Sequence, residues 1–131
     1  MNRTFAIFLG AVVLAGPRLA AHHGYAAFFK PADRTVRIEG TLEELRWANP
    51  HVIMLIRADD QTLYSVTWQG ASWVETVTHV TSKSFKAGDH ISVIAAPARD
   101  PASHMLALVR EVQLDSGWKW RSQGVFAEPD R

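Results

Sequence analysis

Between Val36 and Trp47 the alternation of apolar residues slips by one position, and that slip limits the folds open to this chain. Val36, Ile38 and Leu42 share one parity, with Gly40 between them; Leu45 and Trp47 then carry the apolar face onward. One extra residue in an alternating strand is the sequence mark of a β-bulge, and a bulge bends its strand. A long bent strand with Gly near the bend suits a small closed barrel, where one strand serves two sides. Asn49-Pro50 follows as a corner. The residue before Pro is biased to extended backbone, and Pro fixes its own φ. After the corner, Val52 to Ile56 is apolar on both parities, as expected of a strand buried on both faces.

The first strand is expected from Thr35 to Trp47 and the second from His51 to Arg57, with a polar hairpin loop at Ala58 to Gln61. Leu63 to Trp68 forms the third, with Tyr64, Val66 and Trp68 on one face. Three such runs in succession make a meander. The period then changes. Ser72 followed by Glu75 has the form of a capping box, and Trp73, Val74, Val77 and Val80 recur at helical spacing, so a short helix is predicted from Ser72 to Val80. Two further strands run from His90 to Ala96 and from Leu106 to Leu114. This order predicts a mostly all-β fold, a five-stranded OB-like barrel with one short helix. The barrel is expected over residues 35–114, after an N-terminal segment 22–34 and before a C-terminal tail 115–131. The tail is polar apart from Trp118, Trp120, Val125 and Phe126, which either dock on the barrel or move freely.

Residues 1–21 read as a signal peptide preceding the fold. Met1 to Thr4 is a short basic start, Phe5 to Ala15 is apolar, Gly16-Pro17 breaks the run, and Ala20-Ala21 offers small residues for cleavage. The apolar run is too short to span a bilayer. Cleavage after Ala20 or after Ala21 gives a periplasmic or secreted bacterial protein, with no membrane attachment afterwards. Without Arg3 and Arg18 the chain keeps 12 basic against 13 acidic residues. No basic excess remains to suggest a nucleic-acid partner. The chain has no Cys, so disulfides and thiolate chemistry are excluded even where export would permit them.

Four motifs carry a resemblance: His22-His23, Trp47-Ala48-Asn49-Pro50-His51, Gly88-Asp89 and Pro97-Ala98-Arg99-Asp100. On these the chain resembles a family of small exported bacterial proteins of unknown function, from His22 to Leu114. The family's usual pattern has a small hydroxyl residue where Gly24 stands and often Gly at Pro101; neither departure touches a His. The resemblance implies an exported OB-like barrel and brings no established activity.

Catalytic signatures are scarce. There is no H-E-x-x-H motif, nucleophile elbow or Gly-rich phosphate loop, so an enzyme has the least support. Glu43-Glu44 and Asp59-Asp60 are paired carboxylates, but neighbours on a strand point to opposite faces, and a turn is solvated. Both pairs read as surface charge. Trp47, Asn49, Trp68 and Arg99 are candidate ligand-binding residues, because Trp rings on an OB barrel can stack flat ligands. The competing reading has Trp47 and Trp68 filling the core, Trp73 anchoring the helix, and Trp118 and Trp120 pinning the tail. Arg99-Asp100 is either a ligand clamp or a local ion pair.

Of six His residues, His79, His90 and His104 read as surface or hydrogen-bonded side chains. His22, His23 and His51 are the candidate metal ligands. Imidazole and a free amine are nitrogen donors that suit Cu(II), Ni(II) and Zn(II), with copper highest in affinity. Cleavage after Ala21 leaves His22 as the first residue, able to chelate through amine and ring. Cleavage after Ala20 leaves Ala21-His22-His23, whose amine, two amides and third-place His can wrap a square-planar ion. The first functional reading is therefore a small exported copper-binding protein. The alternative is a non-catalytic OB-type module that binds an exported partner protein or small polar ligand without metal.

Overall fold

The computed structural model describes residues 24–31 and 34–123. Six strands and one α-helix follow in order: β1 (Val36–Arg46), β2 (Ile53–Ala58), β3 (Leu63–Thr67), α1 (Ala71–Thr78), β4 (His90–Pro97), β5 (Met105–Leu114) and β6 (Lys119–Arg121). The sheet runs β3-β2-β1-β4-β5-β6, and β3 also pairs with β5 in parallel. That pairing closes β1 to β5 into a five-stranded OB-like barrel.

β1 serves two sides as its parity slip requires. Val36 to Thr41 pairs with β4, while Gly40 to Arg46 pairs with β2. The register shifts between Leu42 and Glu44, so Glu43 is the bulge residue. Gly40 lies where the two pairings overlap. A Cβ there would sit 2.1 Å from the carbonyl oxygen of Arg57, so only Gly permits that approach of the backbones.

The core is made by the inward parity of each strand: Leu42, Met54, Ile56, Val66, Ile91, Val93, Leu106 and Val112 are all buried. β2 differs from expectation, since Met54, Ile56 and Ala58 are buried but Ile53, Leu55 and Arg57 are only half-buried. Its apolar run is wetted on one face because no layer covers that side. Helix α1 lies on the barrel through Ala71, Val74 and Thr78, spaced one helical turn apart.

The helix start also corrects the sequence reading. Gly70 is the N-cap and no side chain of the helix itself caps it. Ser72 and Glu75 instead bond to the corner before β2, as described below. A capping box does form, at Thr81 and Ser84 in the 3-10 turn after the helix. The tail contributes a strand that alternation could not reveal in three residues: β6 pairs with β5 through Glu111, Val112 and Gln113. Trp120 on this strand and Trp118 just before it pack against the core.

Candidate functional site

The Trp47-to-His51 motif folds back onto the start of α1. Trp47 Nε1 donates to Glu75 at 2.8 Å. The Ala71 amide donates to the Ala48 carbonyl at 3.2 Å. Asn49 Oδ1 accepts from the Ser72 amide at 3.3 Å, and its Nδ2 donates to Ser72 Oγ at 2.9 Å. A Cβ on Gly70 would lie 2.6 Å from Asn49 Oδ1, so Gly there lets the corner approach. The Asn49-Pro50 peptide is cis. The polar groups of Trp47 and Asn49, two of the candidate ligand-binding residues, are thus engaged in holding the helix.

His51 leaves this corner in another direction. Its Nδ1 lies 3.2 Å from the Trp68 carbonyl oxygen. A carbonyl only accepts, so Nδ1 carries a proton, and in the neutral ring Nε2 then holds the lone pair. The Tyr25 hydroxyl lies 3.4 Å from each ring nitrogen, with the two rings nearly perpendicular at 74°. Burial pushes the Tyr25 phenol above its usual pKa, so the hydroxyl stays protonated and donates to Nε2.

Tyr25 belongs to a 3-10 turn, Tyr25–Ala27, that is tied to the barrel. Arg99 Nε donates to the Ala26 carbonyl at 3.0 Å, and the Arg99 amide donates to the Phe28 carbonyl at 2.9 Å. Phe29 bridges to Ala98. Arg99 is therefore a clasp on the N-terminal segment rather than half of an ion pair with Asp100, which accepts from the Ala102 amide at 3.0 Å. His22 and His23, the other candidate ligands, lie outside the described residues, as do the signal peptide and its cleavage positions.

The other His residues are apart from this site. His79 and His104 adopt left-handed backbone after a helical turn, and His90 Nδ1 lies 3.3 Å from Asp115. Among the described residues, no three His, Asp or Glu side chains converge to hold a metal. The paired carboxylates are engaged locally. Glu43 takes two hydrogen bonds from Arg57, at 2.7 and 3.1 Å, which hold its carboxyl below the usual pKa. Asp60 accepts from the Thr62 amide.

Beside Tyr25 and Trp68 opens a cleft of about 660 Å³. Its aromatic walls are Tyr25, Trp68, Trp73 and Trp120, and Gln69, Arg110, Arg121 and Ser122 add polar groups. Trp68 and Trp120 have ring centroids 5.2 Å apart, and Trp73 meets Trp120 edge-on at 6.0 Å. Trp47 belongs to a separate cluster with Phe85 and Trp118. The rings therefore both fill the core and line a cavity. Trp68 is 3% exposed, whereas Trp73 is 40% exposed.

Behind this cleft lies Glu111, the most buried charged side chain at 0% exposure. Arg121 Nε donates to it at 2.7 Å, Lys119 lies at 3.1 Å and Arg37 at 3.3 Å. Burial pushes this carboxyl up, but hydrogen bonds and charge from Arg121 and Lys119 outweigh it, and the pKa lies below the ordinary value of 4.5. The cluster pins β6, and with it Trp120, against β5. Tyr25, Arg110 and Glu111 had not been singled out from sequence. Tyr25 alone had a usable signal, its place two residues after the His pair.

Comparison with curated proteins finds no match. A family model does match, over residues 11–107, and so covers the corner, the helix and most of the barrel. The chain belongs to that family, a family of unknown function (DUF6152).

Proposed function

We propose that this is an exported, periplasmic protein that binds copper through His22, His23 and His51. The observation that supports it best is the contact between Tyr25 and His51. His23 stands two residues before Tyr25. The clasp by Arg99 holds Ala26, the neighbour of Tyr25, on the barrel. His51 itself has the form of a prepared ligand, with Nδ1 on a backbone carbonyl and Nε2 facing only the Tyr25 hydroxyl among the described residues. Nitrogen donors of this kind favour copper among the divalent ions. The Tyr25 hydroxyl, a weak partner at 3.4 Å, would yield Nε2 to the ion.

Titrating Cu(II) into the mature protein tests this, alongside a variant lacking His22 and His23 and the variant His51→Ala. The expected result is a visible absorbance band that is lost in the first variant and altered in the second. Equal affinity and equal spectra in all three would overturn the proposal. A metal analysis of protein taken from its own periplasm, with the mass of its N-terminus, fixes the physiological ion and the cleavage position.

The second reading is a non-catalytic OB-type module for a small polar ligand or an exported partner protein, without metal. The aromatic cleft beside β5 favours it, because its volume falls in the range of small-molecule sites. Unchanged spectra on copper addition, with saturable binding of a ring ligand, would select this reading.

A further inference from the structure

The cleft holds polar groups that the fold leaves without partners. Trp68 Nε1, Arg110 Nε and Ser122 Oγ are each buried and find no hydrogen-bond partner among the described protein groups. All three residues line this one cavity. Buried polar groups are nearly always satisfied, so three orphans around one cavity call for an explanation. Two of them, an indole N–H and a guanidinium N–H, can only donate, so what satisfies them must bring acceptor oxygens.

The charge of the cleft has one sign. No Asp or Glu lines it, and Arg110 makes no ion pair with any described residue. Arg121, the other cation there, already holds Glu111. A half-buried guanidinium without a counter-ion favours an anion, and its planar fork fits a carboxylate best.

The backbone at Arg110 is shaped to put it there. β5 places Leu108, Val109 and Arg110 opposite the single β4 residue Ala95, since Ala107 pairs with Ala96 and Glu111 with Ile94. Leu108 takes a φ of 51°, in the left-handed region that L residues with branched side chains avoid. Such bulges re-aim side chains and gather beside binding sites, where surrounding structure sustains the strain.

We infer that this cleft binds a small carboxylate carried on a flat-faced ring, with Arg110 taking the carboxylate and Trp73 and Trp120 taking the ring. This rests on the second reading above, and the cleft adjoins the proposed copper site through Tyr25 and Trp68. An aromatic acid and a uronic acid both present the required chemistry, and the test distinguishes them.

Calorimetry on the mature protein would use phenylacetate and glucuronate as probes, with phenylacetamide and glucose as neutral counterparts. At least one acid is expected to bind saturably, about tenfold or more tighter than its neutral partner, the worth of a charge-assisted pair. Arg110→Gln should erase that preference while keeping the far-UV circular dichroism of the parent. Trp73→Ala, at an exposed position, should weaken whichever acid binds without unfolding the protein. If the neutral compounds bind as well as the acids, the cleft remains a site but the carboxylate assignment fails. If no probe binds, both the assignment and the site fail.

Discussion

Asn49 caps a helix that begins more than twenty residues after it: both its amide groups bond to Ser72, one to the backbone and one to the hydroxyl. The corner at the start of the second strand thereby fixes the helix that plugs the barrel. Asn49→Ala removes the acceptor that satisfies a first-turn amide, and the expected cost is about 1 kcal/mol. Asn49→Asp keeps the acceptor and should cost less. Urea midpoints of the two variants, at unchanged slope, check the order.

Gly40→Ala tests barrel closure. The added methyl meets backbone at 2.1 Å, where no rotamer change can relieve it. The strands must separate, at a cost of about 3 kcal/mol or more. Thermal unfolding should show a large drop in Tm, and a variant as stable as the parent would contradict the close approach of β1 and β2.

The Glu111 cluster makes the last strand sensitive to acid. Its folded-state pKa is below 4.5, so its contribution is present above the unfolded value and is lost as pH falls through the folded one. Near neutrality β6 is secure. As pH drops below 4.5, Trp120 is expected to leave its neighbours, seen as a change in tryptophan emission. Glu111→Gln should abolish that acid transition and lower stability at pH 7 by about 1 kcal/mol, because the three cations around it are partly solvated and lose only the charge they share.

Arg99→Ala releases the carbonyl of Ala26 and loosens the tether of the N-terminal segment. Under the copper proposal this lowers the effective concentration of the terminal His pair at His51, and Cu(II) affinity should fall about tenfold. In a His51→Ala background the same substitution should have no further effect. A copper affinity indifferent to Arg99 in both backgrounds would separate the metal from the corner.

The barrel was readable because its constraint is local. A parity slip beside Gly40 is a one-dimensional signal for a bulge, and alternation marks the strands that flank it. Where the reading went astray, the partner was distant in sequence. Ser72 and Glu75 have capping-box spacing, but Asn49 and Trp47 compete for the same groups and win through tertiary packing. Arg99 looked paired with its neighbour Asp100, yet its partner is the carbonyl of Ala26. β6 is too short for a period to emerge, and it is placed by the charge on Glu111 rather than by apolar pattern. His51 stood out because Pro50 marks its corner; Arg110 did not, because the bulge beside it has no mark in an apolar run.

Barrel closure also bears on how these molecules behave when crowded together. Among the described residues, every strand but β6 has a neighbour on each side, so the sheet ends in the short β5–β6 ladder. That ladder is three residues long, and Lys119 and Arg121 stand at its two ends. Short length and like charge both oppose the pairing of one sheet with another. Two copies meeting along β6 would repel, and an unfolded chain meets little template on a copy whose barrel has shut.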